Sequence, residues 1–169
     1  QRYIPEGQKF VALHVRDSGF SNDGQRTTRN ADILTYEKAI QHLIAQGYAV
    51  IRLGPPSADN ISSIIDACGS LVFDYAYSNI RSEMMDCFLI SQCEFFVGLA
   101  SGPSSVPMLF NVPSCNINWH NISNATNFLE GDLTTFKTFR YKKDNQLVPL
   151  KDLMHPPYSL NAQHHTLDE

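Results

Sequence analysis

"KFVALHVRDSGF", residues 9 to 20, is the stretch from which the fold can be read. Residues 10 to 15 read as a strand buried on both faces, the pattern that a parallel sheet imposes. Where that strand runs out, His14, Arg16 and Asp17 arrive within four positions. In an open α/β sheet, ligands bind outside the carboxyl ends of the strands. His14 and Arg16 lie two apart and so share one face of the strand at that end. An arginine there offers a planar fork of donors suited to a phosphate. An arginine salt-bridged to Asp17 or Asp32, fixing the loop that follows, accounts for the same residues.

Working outward, apolar runs alternate with helical patterns. Residues 35 to 46 place Tyr36, Ala39, Ile40, Leu43 and Ile44 at helical spacing, and Gly47 is placed to end that helix. Residues 48 to 53 form a second strand stopped by Gly54-Pro55-Pro56. A short helix at 60 to 67, a strand at 71 to 73 and a helix at 82 to 92 follow. Then come a strand at 95 to 99, a helix at 104 to 110 and a strand at 114 to 117. Strands and helices alternating at these lengths mean βαβ units, a mainly parallel sheet and right-handed crossovers, an α/β fold. After Trp119 the pattern weakens into a polar stretch with two or three poorly defined elements. The expected organisation is a core over 1–119 and an extension over 120–169 packed on the same domain, with a frayed tail at 163–169.

The chain has 169 residues, 43% hydrophobic and 18% charged, the proportions of an ordinary globular domain. A net charge of −4 and a pI near 5.8 argue against a surface built for nucleic acid or anionic membrane. No apolar run approaches the roughly 18 residues of a membrane span, and no signal-peptide pattern opens the chain. The start at Gln1 suggests an excised domain. Cys68, Cys87, Cys93 and Cys115 lack the close paired spacings of a zinc site and sit in apolar contexts, as buried free thiols do. The sequons at Asn60, Asn121 and Asn124 matter only in a secreted protein; the expectation is a reducing compartment and a cytoplasmic location.

Two further segments carry chemistry. "FFVGLASGPSSVPMLFNVP", residues 95 to 113, runs a buried strand into Gly98, then Ser101-Gly102-Pro103-Ser104-Ser105, then a helix. With Ser104 as N-cap, Pro107 falls in the first turn, where its missing N–H costs little. Free N–H groups around 104 to 106 would then make an anion site; a tight turn that binds nothing has the same sequence. The Gly-Lys-Ser/Thr ending of a Walker loop is missing. "SNIRSEMMDCFLISQC", residues 78 to 93, sets Ser82 as N-cap of a helix that is apolar almost all round, with Asp86 among Met84, Met85, Cys87, Phe88, Leu89 and Ile90. A carboxylate so placed must be paired or hydrogen-bonded. Its partner is either protein or the ring N–H groups of a purine. Upstream, "DYAYS" puts Asp74, Tyr75 and Tyr77 just past a strand, where a ring either stacks on a base or joins the core.

Together these segments resemble the nucleotide-binding half of the fucosyltransferase superfamily. "LHVRDSGF" looks like its first motif, and "NIRSEMMDCFLISQCEFFVGLASG" is similar throughout to its helix–strand–loop segment. With "RNAD" and "QGYAVIRLG", the string looks closer still to bacterial proteins classed as glycosyltransferases. The likeness covers residues 9 to 119. It implies the C-terminal, donor-binding half of a GT-B enzyme built from two Rossmann-like, three-layer halves, the N-terminal half lying outside this chain. It further implies sugar transfer from a GDP-sugar, GDP-fucose in the family, with inversion, without a metal or other cofactor, onto a glycan or other hydroxyl acceptor.

Carried over by motif, Arg16 binds the pyrophosphate with His14 beside it, Asp86 reads guanine, and Ser101 and Gly102 meet the β-phosphate. Ser104 and Ser105 belong to the same turn, and Asp74 and Tyr75 to the base side. Arg16 with the turn would stabilise the departing diphosphate. The absence of an Asp-x-Asp motif accords with a metal-free reaction. Asp17, Asp23 and Asp32 are the candidate bases, Asp17 within the motif itself. Where the family pattern continues with a second arginine or a polar pair, this chain has Asp17-Ser18-Gly19. A non-catalytic sugar-nucleotide or glycan-binding module, and an interaction domain with purely structural strand ends, are the competing readings.

Overall fold

The computed structural model describes residues 4–17, 29–56, 61–120, 122, 125 and 129–156. The segments read as strands pair in parallel throughout: β1 (Phe10–Leu13), β2 (Ala49–Arg52), β3 (Val72–Asp74), β4 (Phe95–Gly98) and β5 (Ser114–Trp119), with β6 (Leu133–Phe136) added at one edge. The order is β3-β2-β1-β4-β5-β6, so the chain winds outward in one direction from β1 and then returns to build from β1 the other way. This is the doubly wound, Rossmann-like arrangement, and β1–β4 is its switch point.

Alternation along the strands sorts the core into two layers. Leu13, Val15, Val50 and Val72 pack with Tyr36, Ile40 and Ile64 on the face carrying α1 (Glu37–Ala45) and α2 (Ser62–Cys68). Ala12, Ile51, Leu53 and Phe96 pack with Tyr75 and Ile90 on the face carrying α3 (Glu83–Gln92). Neighbouring residues of one strand thus go to opposite layers, which is why the strand sequences are apolar without interruption. Gly98 ends β4 where the Phe96 ring occupies the place a Cβ would take.

The helix expected at 35 to 46 begins with a 3-10 turn, Ile33–Tyr36, which the Asp32 carboxylate caps by accepting from Leu34 N–H at 2.8 Å. Gly47 closes α1 at φ 87°. Ser82 caps α3 as expected, its hydroxyl accepting from Met85 N–H at 3.1 Å. The apolar surroundings expected for α3 need correction. Met85 and Leu89, four apart, pack on the second core with Ile90, while Met84 and Phe88 stand on the outer face, Met84 81% exposed.

The expected helix at 104 to 110 is corrected too. It is two 3-10 turns, Gly102–Ser105 and Pro107–Phe110. Ser101, not Ser104, is the N-cap, and Pro107 starts the second turn. Two prolines within five residues remove the amide donors that a continuous α-helix would need.

Strand β6 comes from the weakly patterned segment beyond Trp119. Asp132 pins it: Oδ1 accepts from the Ser114 N–H at 2.7 Å and hydroxyl at 3.1 Å, and Oδ2 from Leu129 N–H at 3.0 Å. A short helix α4 (Leu150–Leu153) follows. All four cysteines are free thiols, but only Cys93 is buried, and burial raises it to about 11. Among the described residues, no helix is long and apolar enough to cross a membrane. The sequons at Asn60, Asn121 and Asn124, Asp23 and the 163–169 tail lie outside the described residues.

Tyr75 joins the β3 end to the start of α3. It is buried, and its hydroxyl accepts from Ser82 N–H at 2.8 Å while lying within reach of the Ile80 and Ser82 carbonyls. Tyr75→Phe strands that amide and is expected to cost about 1–3 kcal/mol with the fold retained. Urea unfolding checks this; an unchanged midpoint would show that the hydroxyl carries no part of the junction.

Candidate functional site

Both faces of the sheet are covered, so the polar side chains gather at its carboxyl edge. Three strand ends meet there at the switch point. Past β1 the backbone remains extended, with His14 N–H donating to Val97 at 2.9 Å and Ala31 N–H donating to Arg16 at 2.9 Å. His14 (4% exposed), Arg16 (4%) and Asp17 (5%) are therefore all buried at the crevice.

His14 links the loop after β1 to the loop after β4, its Nδ1 standing 3.1 Å from the Ser101 hydroxyl. That hydroxyl donates its one proton to the Leu99 carbonyl at 3.0 Å. The carbonyl has no proton to return, so both contacts are satisfied only if His14 carries its proton on Nδ1 and leaves Nε2 as the acceptor. The other side of the ring faces Gly54. At φ 100° Gly54 has a backbone that favours glycine, and a Cβ there would come within 3.0 Å of His14 Cδ2. Burial holds the imidazole down to about 4, with the Arg16 and Arg52 charges adding to the effect and Asp17 opposing it. It is a neutral ring at physiological pH.

Beyond Ser101, a reciprocal cap closes the turn: Ser104 Oγ donates to the Ser101 carbonyl at 2.6 Å and accepts from Ser101 N–H at 3.4 Å. Ser104 N–H is also directed at the Ser101 carbonyl, at 3.2 Å. Of the N–H groups expected to be free around 104 to 106, that of Ser104 is thus engaged within the turn, and that of Val106 donates to the Pro103 carbonyl at 3.1 Å. Gly102 and Ser105 are exposed, and the space around Gly102 is open.

The base side is built from β2, β3 and α3. Arg81 Nε donates to the Gly54 carbonyl at 2.7 Å, and its Nη2 lies 3.8 Å from Asp86 Oδ2. The same guanidinium therefore ties the loop after β2 to the first turn of α3. Asp86 Oδ1 is buried with no hydrogen-bond partner among the described residues. Burial raises the Asp86 pKa, against the opposing pull of Arg81 and the Gly54 backbone.

Asp74 pairs with Arg52 at 3.4 Å across adjacent strands. Its Oδ1 is likewise buried and unpartnered, and burial raises its pKa despite Arg52. Tyr75, which the sequence leaves open between a stacking ring on the base side and a core residue, is part of the core, its hydroxyl held at the α3 junction. Tyr77 is the exposed ring of that turn.

Sequence reasoning missed Arg52, which ends β2 in the same way that His14 and Arg16 end β1. A charged residue closing an apolar run before Gly54-Pro55-Pro56 was the available signal. It also missed Arg29, His120 and Lys137, which stand at the far side of the same edge. The Asp32 carboxylate caps the turn that opens at Ile33. Among the described residues, no group of three or more His, Cys, Asp or Glu is arranged to hold a metal ion.

No family model and no curated protein matches the chain. A solved structure, the dodecameric iron-containing heptosyltransferase TibC in complex with ADP-D-β-D-heptose, is similar over 93% of this chain, with 16% identity and a TM-score of 0.45. The chain spans 40% of that protein's length.

The His14 geometry has a spectroscopic signature. Nitrogen-15 correlation spectra of the imidazole are expected to show the Nδ1–H tautomer and no protonation until the pH nears 4. The unfolded ring takes a proton near pH 6.5, so between about 6.5 and 4 the unfolded state binds more protons and stability falls as the pH drops. Asp74 and Asp86, raised by burial, act in the opposite sense. The difference between wild type and His14→Gln therefore isolates the histidine's share. A titration midpoint near 6.5 would contradict the buried site.

Proposed function

We propose that this domain binds the diphosphate of a nucleotide-sugar at the switch point and serves in transfer of the sugar. The observation that carries the reading is the His14–Ser101 hydrogen bond, which closes the two switch-point loops on each other beside the buried Arg16. In doubly wound sheets this crevice is where nucleotides sit. An arginine fork beside small residues with open space at Gly102 suits phosphate oxygens.

The base belongs on the Asp86 side. Guanine presents N1–H and N2–H₂ side by side, and a carboxylate accepts from both; adenine lacks the pair. The unpartnered, buried Oδ1 of Asp86 supports a ligand donor there. Asp74, held by Arg52, lies at the end of β3, near the exposed Tyr77 ring. We take the donor to be a GDP-sugar, with fucose the first sugar to test because of the motif likeness.

In the reaction, cleavage of the sugar–phosphate bond puts negative charge on the departing diphosphate. Arg16, with the exposed Gly102 and Ser105 of the turn that Ser101 and Ser104 brace, stabilises that charge. Neutral His14 positions Ser101 and adds no repulsion to an incoming acceptor. Asp17, next to Arg16, is the carboxylate assigned to take the acceptor's proton. Attack from the face opposite the diphosphate inverts the anomeric centre. The scheme needs no metal, since fixed cations do the work of charge stabilisation. A second domain contributed by the rest of a GT-B enzyme would bring the glycan or other hydroxyl acceptor.

Titration calorimetry of the chain against GDP, UDP, CMP and ADP tests the reading: GDP alone is expected to bind. Asp86→Asn replaces one acceptor oxygen with a donor that opposes a guanine N–H. It is expected to lose at least about tenfold in GDP affinity, about 1.4 kcal/mol, with little gain for ADP. If the variant keeps its GDP affinity and loses only stability, Asp86 braces the helix and does not read the base.

A further inference from the structure

A second polar cluster stands at the carboxyl ends of β5 and β6, where the 29–32 segment crosses them. Arg29 donates through Nε and Nη2 to the Ala100 carbonyl, at 2.9 and 2.7 Å. Lys137, just past β6, donates its N–H to the Trp119 carbonyl at 2.9 Å and its ammonium to the Asn30 carbonyl at 2.6 Å. The segment is thus pegged over the strand ends by two cations bonded to neutral carbonyls.

His120 follows β5 directly and is 8% exposed. Three buried side-chain atoms in this short span, His120 Nδ1, Asn30 Oδ1 and Trp119 Nε1, have no hydrogen-bond partner among the described residues. Burying such an atom unpaired costs about 1–3 kcal/mol. The indole N–H, and the imidazole nitrogen once protonated, are donors that an anion completes, whereas the Asn30 oxygen is an acceptor and calls for a donor. The charges facing His120 are Arg29 from the 29–32 segment, Lys137 from the end of β6 and Arg16 from the end of β1. Among the described residues, no carboxylate acts with them.

We propose that His120, Trp119, Arg29 and Lys137 form an anion-binding subsite, adjoining the switch-point crevice on its β5 side, that takes a phosphoryl or carboxylate group. Trp119 Nε1–H supplies a donor, and Arg29 and Lys137 supply fixed positive charge. His120 closes the set with a nitrogen that becomes a donor when protonated. In the glycosyl-transfer reading this is where an acidic acceptor would bring its charge, but the subsite does not depend on that reading.

Burial, then Arg29, Lys137 and Arg16, hold His120 down to about 4. A bound anion offsets those cations and drives the imidazole back up, so binding and protonation of His120 are coupled. Affinity therefore rises as the pH falls.

The test follows the His120 imidazole by nitrogen-15 NMR in the 169-residue chain, titrated separately with sulfate, inorganic phosphate and acetate. Saturating anion is expected to raise the His120 midpoint by about one pH unit. Sulfate and phosphate acting without acetate assign a phosphoryl group; acetate acting as well assigns a carboxylate. Lys137→Gln and Trp119→Phe, each verified as folded by the rest of the spectrum, are expected to weaken binding by about tenfold or more. Addition of GDP is expected to leave the His120 response in place. A His120 signal unmoved by every anion, undiminished binding in both variants, or displacement of the anion by GDP would each overturn the subsite. A chain that takes sulfate at His120 but does not bind GDP would instead refute the nucleotide reading and leave this one standing.

Discussion

Helices and turns pack on both faces of the parallel sheet, and that coverage governs where this chain can place polarity. Strand interiors must be apolar on each side, as Val11, Ala12, Val50, Ile51 and Phe96 are. Charges and imidazoles close to the core are therefore confined to the strand ends, and every residue with a chemical role here lies at the carboxyl one. Reversal of the winding direction at β1–β4 then opens a crevice at that edge, because the loops after the two strands leave towards opposite layers. His14 and Ser101 bridge it.

Burying so many polar groups demands local compensation, and the edge divides by how that is met. Near β2 and β3 the cations have carboxylate partners: Arg52 with Asp74, Arg81 with Asp86. Such pairs recover in Coulomb attraction only part of what their desolvation costs. Each carboxylate also keeps one buried oxygen that has no hydrogen-bond partner among the described residues. Near β5 and β6, Arg29 and Lys137 donate to carbonyls, and among the described residues the orphans are a histidine, an asparagine and an indole. One end of the edge thus presents carboxylate acceptors and the other presents positive charge.

The strand pattern of the fold was legible because full burial on two faces writes an unbroken apolar run, as in residues 10 to 15. His14, Arg16 and Asp86 were legible because they violate such runs. The 104 to 110 segment misled because Val106, Met108 and Leu109 carry helical spacing while Pro103 and Pro107 break the hydrogen bonding that spacing assumes. Strand β6 was invisible: as an edge strand with Leu133 and Phe136 partly in solvent it lacks the buried run, and Asp132 holds it by contacts that no local pattern encodes. Tyr75 could be read either as a stacking ring or as core, and only the hydroxyl's place at Ser82 decides it. His120 and Lys137 acquire their meaning from Arg29, a residue far away in the chain.

The central claim is that the switch-point crevice takes a diphosphate, and chemical-shift mapping of the labelled chain with inorganic pyrophosphate tests it most directly. The account predicts the largest changes at His14, Arg16, Ser101 and Gly102, with the His14 Nδ1–H signal among them. Changes centred on the opposite edge of the sheet, around Lys9, Tyr48 and Glu94, or no changes at saturating pyrophosphate, would contradict it.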